Sequence, residues 1–148
     1  MTRQYRTSSA IETIEVGRQI ARELTAPAVV VLTGDLGSGK TTLVKGIAEG
    51  FHAAEEEDVT SPTFTLIHEY RGRSVNLFHI DLYRIDTDRE LLTLGLDDLI
   101  EVGSILLVEW GEKFERFRRE RDVEITIRHM GETEREISVF FTAEARKN

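Results

Sequence analysis

A glycine-rich segment in the first third of the chain carries the clearest chemical signal. Residues 34–41 read Gly-Asp-Leu-Gly-Ser-Gly-Lys-Thr, which fits the pattern G-x-x-x-x-G-K-[ST]. Such glycines let the backbone curl until successive N–H groups point at phosphate oxygens, and the next helix adds its positive end. The lysine of this pattern reaches the β- and γ-phosphates, and the hydroxyl ligates Mg²⁺. The segment predicts a site for a nucleoside triphosphate, and we expect ATP with Mg²⁺.

Individual roles follow from position in the pattern. Lys40 is predicted to be a catalytic residue as well as a phosphate contact, and Thr41 is predicted to hold the metal. The predicted nucleotide contacts are Asp35, Leu36, Gly37, Ser38, Gly39, Lys40, Thr41 and Thr42.

Two carboxylates stand at the ends of apolar runs. Asp81 ends the run at residues 75–80, and Glu109 ends the run at residues 105–108. A phosphate-loop site needs an acid at the end of a neighbouring strand, where it holds Mg²⁺ or orients the attacking water. Both are predicted to be catalytic and metal-binding. The sequence leaves open which one ligates Mg²⁺ directly, and either could be an ordinary acid at a strand end.

Hydroxyl groups and a proline follow the predicted phosphate-loop helix. Thr60, Ser61, Pro62 and Thr63 form a candidate switch segment whose hydroxyls would meet the γ-phosphate and Mg²⁺. An ordinary turn held by the proline is the alternative interpretation.

Several bulky or charged side chains flank the two acids. His79 interrupts an apolar strand, and its position is typical of a satisfied structural histidine rather than a ligand. Trp110, Tyr83 and Arg84 are predicted to lie near the site.

These side chains need an α/β framework to bring them together. Ser9 and Glu12 are typical of a capping box, which opens a helix that continues to about residue 25. Apolar runs at residues 28–33 and 105–108 predict strands buried on both faces. Residues 41–51 predict a helix, residues 63–70 and 74–81 a strand hairpin near Gly72, and residues 87–100 a helix broken near Gly95. Residues 113–121 predict a short polar helix, and residues 123–129 and 134–141 an antiparallel pair.

The order of these elements predicts one α/β domain over residues 1–148. Its fold would resemble phosphate-loop NTPases, with a mixed, mostly parallel central sheet, flanking helices and antiparallel hairpins. Residues 143–148 are predicted to be a frayed tail. Four arginines at 116, 118, 119 and 121 are interpreted as a solvated helix face.

Composition limits the classes of function. The chain has 27 acidic and 19 basic residues and a formal charge of −8, which disfavours unaided binding to nucleic acid. It has no cysteine, which excludes thiol catalysis and suits a reducing cytoplasm. The N-terminal residues are polar and no window reaches the apolar length of a membrane span, so we expect a cytoplasmic protein.

Four motifs together resemble the bacterial TsaE (YjeE) family. They are Gly-Asp-Leu-Gly-Ser-Gly-Lys-Thr-Thr at 34–42, Thr-Ser-Pro-Thr-Phe at 60–64, His-Ile-Asp-Leu-Tyr-Arg at 79–84 and Val-Glu-Trp at 108–110. The resemblance covers residues 11–110. Phosphate loops occur in many families, whereas the second and third motifs are much more specific.

The resemblance implies a small ATPase needed for N6-threonylcarbamoyladenosine in tRNAs that read codons beginning with A. It implies that the chain does not transfer the threonylcarbamoyl group itself but docks on a complex of TsaD, which does, with TsaB. ATP hydrolysis would be weak in the isolated chain and stimulated by these partners, and tRNA would be held mainly by them.

Two other functions stay open on sequence grounds. One is a small-molecule or nucleotide kinase, for which residues 116–121 could imitate an arginine-bearing lid, although no acceptor signature is present. The other is a non-hydrolysing, nucleotide-gated interaction module. A GTPase is disfavoured because no Asn-Lys-x-Asp segment occurs.

Overall fold

A computed structural model of the chain describes residues 1–35, 38–53, 67–101 and 103–142. These residues form one seven-stranded sheet with helices on both faces. In chain order the elements are β1 (Thr2–Thr7), α1 (Ala10–Ala21), β2 (Ala28–Gly34), α2 (Lys40–Gly50), β3 (Ile67–Arg71), β4 (Asn76–Asp81), α3 (Asp88–Leu92), α4 (Leu96–Glu101), β5 (Ile105–Glu109), a 3₁₀ turn (Gly111–Lys113), α5 (Glu115–Glu120), β6 (Val123–His129) and β7 (Arg135–Phe141). No helix in the described ranges is long and apolar enough to cross a bilayer.

The sheet is parallel in its middle and antiparallel at both sides. Its strand order is β1-β7-β6-β2-β5-β4-β3. Strand β2 pairs in parallel with β5 and β6, and β4 pairs in parallel with β5. The β3–β4, β6–β7 and β1–β7 pairs are antiparallel. The parallel strands β2, β4, β5 and β6 therefore end at one edge of the sheet, which is where the candidate site lies.

Apolar runs decide which strands are central. Every residue of β5 is buried, as are the first five of β2, because helices cover both faces. One face carries α1 and α2, whose buried side chains include Ile20, Leu43 and Ile47. The other face carries α3, α4 and α5, with Leu96 and Phe117 among the buried residues.

Helices α1 and α2 approach each other backbone to backbone. A Cβ added at Gly46 would lie 2.1 Å from the Ile14 carbonyl oxygen, and one added at Gly17 would lie 2.5 Å from the Leu43 carbonyl oxygen. Only glycine fits such a contact. This close packing fixes α2, whose first residue is Lys40, against the sheet.

Most predicted elements are confirmed, including the mixed sheet, the β3–β4 hairpin from residue 67 onwards and the break at Gly95, which has a φ of +67°. Residues 63–66 of the predicted hairpin and the predicted tail at 143–148 lie outside the described residues. The predicted cap is present in altered form: Ser9 Oγ accepts from the Glu12 N–H (3.1 Å), while the Glu12 carboxylate accepts from the Ser8 N–H (2.6 Å). Strand β1 is an addition, because no element was predicted before Ser9.

The short helix near residue 116 is less uniformly solvated than predicted. Its Phe117 is fully buried against the sheet. Arg118 and Arg119 are exposed, as expected. Arg116 forms ion pairs with Glu120 in the same helix and with Asp97 of α4. Arg121 forms an ion pair with Glu124 of β6, so these two arginines connect α5 to α4 and β6.

Candidate nucleotide site

The turn between β2 and α2 is shaped by two glycines. Gly39 precedes α2 with a φ of +109°, a conformation that other residues rarely adopt. A Cβ added at Gly34 would lie 2.7 Å from Ser38 Oγ and 2.8 Å from the Ile127 carbonyl oxygen. The turn therefore lies tightly against the end of β6. Of the predicted contacts in this turn, Leu36 and Gly37 lie outside the described residues.

Lys40 brings a positive charge back over this turn. Its Nζ donates to the Gly34 carbonyl oxygen at 2.6 Å and lies 3.7 Å from Glu109 Oε1. The ammonium also sits 5.8 Å from the centre of the Trp110 ring. Its side chain is only 12% exposed, so the ammonium is largely shielded from water and is balanced by the Gly34 carbonyl and the Glu109 carboxylate.

The two predicted acids lie side by side. Asp81 and Glu109 are register partners at the ends of the neighbouring parallel strands β4 and β5, and both are buried. Asp81 Oδ1 accepts from the Tyr83 N–H at 2.9 Å, and the Glu109 carbonyl accepts from the Leu82 N–H at 3.0 Å. The chain after β4 is thereby held against the end of β5. Their roles as metal ligands stay predictions.

His79 contacts Glu109 directly, a role that the sequence analysis did not assign. Its ring is fully buried, and Nε2 lies 2.6 Å from Glu109 Oε2. Because an ionised carboxylate only accepts, Nε2 carries the hydrogen. The other ring nitrogen, Nδ1, is buried without a hydrogen-bond partner among the described residues, so the histidine is only half satisfied. Its signal was its place in the apolar run, two residues before Asp81.

Burial and these neighbours act in opposite directions on Glu109. Burial raises the pKa of the carboxyl, but the hydrogen bond and charge of His79 and the charge of Lys40 outweigh it and hold the pKa below its usual range. Glu109 is therefore ionised at neutral pH. Its Oε1 faces Lys40, while Oε2 is occupied by His79.

Aromatic and charged residues frame the same edge. Trp110 has a left-handed φ of +67°, and its ring lies 5.3 Å from the Tyr83 ring, centre to centre. Tyr83 is 59% exposed. Lys113 Nζ donates to the Leu82 and Tyr83 carbonyls at 3.2 and 3.0 Å, which fixes this segment. Arg84 follows and is exposed. Trp110 thus lies between Lys40 and Tyr83, and the placement of these residues beside a nucleotide stays a prediction.

The other residues predicted for the site fall into two groups, those that the structure describes and those that it does not. Thr41 and Thr42 are half-buried in the first turn of α2, and Asp35 is exposed, with its carbonyl accepting from the Ser38 N–H at 3.0 Å. The predicted switch residues Thr60, Ser61, Pro62 and Thr63 lie outside the described residues. Within the described ranges, no group of three or more His, Asp or Glu side chains is arranged to hold a metal by itself.

Ser38 and Arg135 form a contact that the sequence did not indicate. Arg135, the first residue of β7, donates from Nε to the Ser38 carbonyl oxygen at 2.8 Å. Ser38 is 1% exposed, and its Oγ is buried with no partner in the described part of the chain. No motif surrounds Arg135, so only the fold could reveal this contact.

The chain is similar to proteins of one family along most of its length. The family described as "Threonylcarbamoyl adenosine biosynthesis protein TsaE" matches residues 7–137. The tRNA threonylcarbamoyladenosine biosynthesis protein TsaE of Bacillus subtilis is 39% identical over 140 residues, covering 95% of this chain and 85% of that protein. The protein of the same name from Treponema pallidum is 38% identical over 131 residues, covering 88% and 95%.

A solved structure agrees with the sequence relatives. The crystal structure of Bacillus subtilis YdiB superposes with a TM-score of 0.75 and 32% identity, covering 98% of this chain and 89% of YdiB. The mixed sheet and its site edge are therefore those of a known fold. The chain belongs to the TsaE family of threonylcarbamoyladenosine biosynthesis proteins.

Proposed function

We propose that this chain binds ATP with Mg²⁺ and hydrolyses it in support of the threonylcarbamoyladenosine modification of tRNA. One observation carries the proposal: the Lys40 ammonium lies between the Gly34 carbonyl and the Glu109 carboxylate, directly over a glycine-rich turn. A lysine, a turn and an acid in this arrangement are the parts that phosphoryl-transfer sites share. The family's part in threonylcarbamoyladenosine biosynthesis supplies the pathway.

The first turn of α2 suits a polyanion. Its N-cap residue, Gly39, makes no side-chain cap, so the first backbone N–H groups of the helix would be available to phosphate oxygens, and the helix end is positive. Lys40 Nζ would exchange the Gly34 carbonyl for a phosphate oxygen. Ser38, Gly39, Lys40, Thr41 and Thr42 would therefore hold the phosphates together with Asp35, Leu36 and Gly37.

The oxygen donors at this edge suit a hard cation. The Thr41 hydroxyl and the Asp81 and Glu109 carboxylates are ligands that Mg²⁺ prefers. When bound, Mg²⁺ neutralises charge on the phosphates. Glu109 Oε1, which faces Lys40 at 3.7 Å and is not occupied by His79, would accept a hydrogen bond from the attacking water once Lys40 contacts the phosphates. Thr60, Ser61, Pro62 and Thr63 would complete the site as the switch segment.

Partners would complete the catalytic arrangement. Arg84 is exposed, and no motif in the sequence fixes an arginine finger, so we expect a second protein to stabilise the transferred charge and the isolated chain to hydrolyse ATP weakly. TsaD and TsaB are the proposed partners. The formal charge of −8 suits contact with tRNA mainly through them.

The test measures phosphate release and transfer side by side. The chain is incubated with ATP and Mg²⁺, alone and with a purified TsaD–TsaB complex, and co-purification of the three proteins is compared with and without ATP. We expect Mg²⁺-dependent phosphate release that the complex accelerates, and nucleotide-dependent association. Transfer of phosphate to a nucleoside or nucleotide would favour a kinase. Failure to associate under any nucleotide condition would refute the pathway role while leaving the ATPase role open.

A further inference from the structure

The β6–β7 hairpin and strand β5 lie on opposite sides of β2, so the hairpin approaches the phosphate-binding turn from the side away from Glu109. Strand β6 is the parallel partner of β2, with Gly34 paired to Ile127, so both strands end beside the turn. Arg135 begins the return strand and donates from Nε to the Ser38 carbonyl at 2.8 Å. Its Nη1 donates to the carbonyls of Glu132 and Glu134 at 3.4 and 3.1 Å. The guanidinium is thus anchored in the hairpin and aimed at the turn.

The Ser38 carbonyl determines the direction of the next N–H group. In a trans peptide the C=O and the following N–H point in opposite directions. Holding the Ser38 oxygen towards Arg135 therefore directs the Gly39 N–H away from the hairpin. Glycine at 39, with its φ of +109°, offers little resistance to rotation of this peptide. A fixed donor on the carbonyl side supplies the restraint that the glycine lacks.

We propose that Arg135 is a positioning residue of the phosphate-binding turn, acting through its Nε–H bond to the Ser38 carbonyl. The inference rests on the proposed nucleotide binding, because an ordered Gly39 N–H is useful only if phosphate binds there. It assigns a function to the C-terminal hairpin, in which the sequence shows no motif. A turn organised before the ligand arrives loses less entropy on binding.

Three substitutions separate the hydrogen bond from the charge and from packing. Arg135→Gln keeps an N–H donor at the same distance along the side chain as Nε but removes the charge. Arg135→Lys keeps the charge but has a methylene in place of Nε. Arg135→Met keeps the apolar stem alone. Arg128→Gln is the matched control: it removes an arginine of the same hairpin that is paired with Glu136 and has no hydrogen bond or ion pair to the described residues of the turn.

Two measurements are made on each full-length variant, after a thermal melt confirms cooperative unfolding. Amide hydrogen exchange of the peptide containing Ser38 and Gly39 is followed without nucleotide, and ATP affinity is measured by calorimetry with Mg²⁺. We expect Arg135→Met and Arg135→Lys to exchange faster and to bind ATP about tenfold more weakly, because the turn must then be ordered on binding. Arg135→Gln should stay within about threefold of the unmodified chain.

The outcomes separate this inference from the proposed function. Rescue by lysine but not glutamine would mean that the charge acts on the ligand, and equal losses in Arg128→Gln would mean a general effect of the hairpin; each overturns the positioning role. Unchanged exchange and affinity in all three variants also overturn it. If the unmodified chain binds no ATP, the proposed function fails, while faster exchange in Arg135→Met would still show that Arg135 orders the turn. If Arg135→Met does not fold, the glutamine and lysine variants decide.

Discussion

Helix α2 carries a network of charged side chains at each end, and the two networks differ in burial and in the distance between the charged atoms. At its N-terminus, Lys40 lies 3.7 Å from Glu109, and their side chains are 12% and 7% exposed. Near its C-terminus, Glu49 and Arg18 of α1 are in contact at 2.5 Å, and both are 33% exposed. Glu15 joins Arg18 at 2.8 Å. The more distant ion pair is therefore the more buried one.

Burial, rather than distance, separates structural charges from candidate functional ones. The Arg18 network is short and solvated, and exposed pairs of this kind contribute little because water screens them. The Lys40 network keeps a lysine, a carboxylate and the half-satisfied His79 away from water. Such an arrangement costs free energy unless partners compensate it. We expect a bound polyanion and cation to provide that compensation, which is why we propose the ligand site at the N-terminal end of α2.

The largest effect is expected at Lys40. Lys40→Met keeps the apolar stem but removes the ammonium, and we expect ATP affinity to fall by at least about a hundredfold because a charge-assisted contact to phosphate is lost. Trp110, the chain's one tryptophan, lies 5.8 Å from Nζ, so its fluorescence reports binding without a label. Lys45→Met on the same helix is the control. Affinity within about threefold of the unmodified chain would contradict the proposed site.

Glu109 should separate binding from turnover. Glu109→Gln keeps the shape and the bond to His79 but removes the carboxylate charge proposed to orient the attacking water, so we expect phosphate release to slow about a hundredfold while ATP affinity changes less than about threefold. Single-turnover release and calorimetry measure the two quantities. If Glu109→Gln abolishes hydrolysis but cells that depend on the chain still modify their tRNA, hydrolysis is dispensable. The chain would then be a nucleotide-gated interaction module.

Local patterns predicted the centre of this fold better than its edges. The apolar runs of β2 and β5 and the break at Gly95 are visible in short windows, so these elements were predicted correctly. Strand β1 is polar and mostly exposed, because it pairs at an edge through its backbone, and its sequence gives no alternation strong enough to detect.

Contacts of the site between residues far apart in the chain could not be predicted from the sequence either. The bond between His79 and Glu109 spans 30 residues and depends on the register of β4 against β5. The bond between Arg135 and Ser38 spans 97 residues and involves a backbone carbonyl, which has no residue type to recognise. The sequence predicted the acids and the turn, but not the side chains that orient them.

The middle of α2 differs from both charged ends, because at Gly46 the helix contacts α1 through close backbone packing rather than through charges. Alanine normally stabilises a helix relative to glycine by about 1 kcal/mol. At Gly46 we expect the opposite sign, because the new Cβ would meet the Ile14 carbonyl at 2.1 Å and force α1 and α2 apart. Gly46→Ala should lower the free energy of unfolding by about 1–3 kcal/mol, measured by urea denaturation. Lys45→Ala is the control, and a Gly46→Ala chain as stable as the unmodified one would contradict the close approach.

The smallest effect is expected at the exposed network, although its contacts are the shorter ones. Arg18→Gln should shift the melting temperature by less than about 2 °C and leave ATP affinity unchanged, because water already screens these charges. Whatever shift occurs at low salt should largely disappear at about 1 M salt, where the Debye length falls to about 3 Å. A large shift that persists at high salt would mean that Arg18 acts through packing between α1 and α2. The difference between the two ends of the helix would then reflect geometry rather than exposure to solvent.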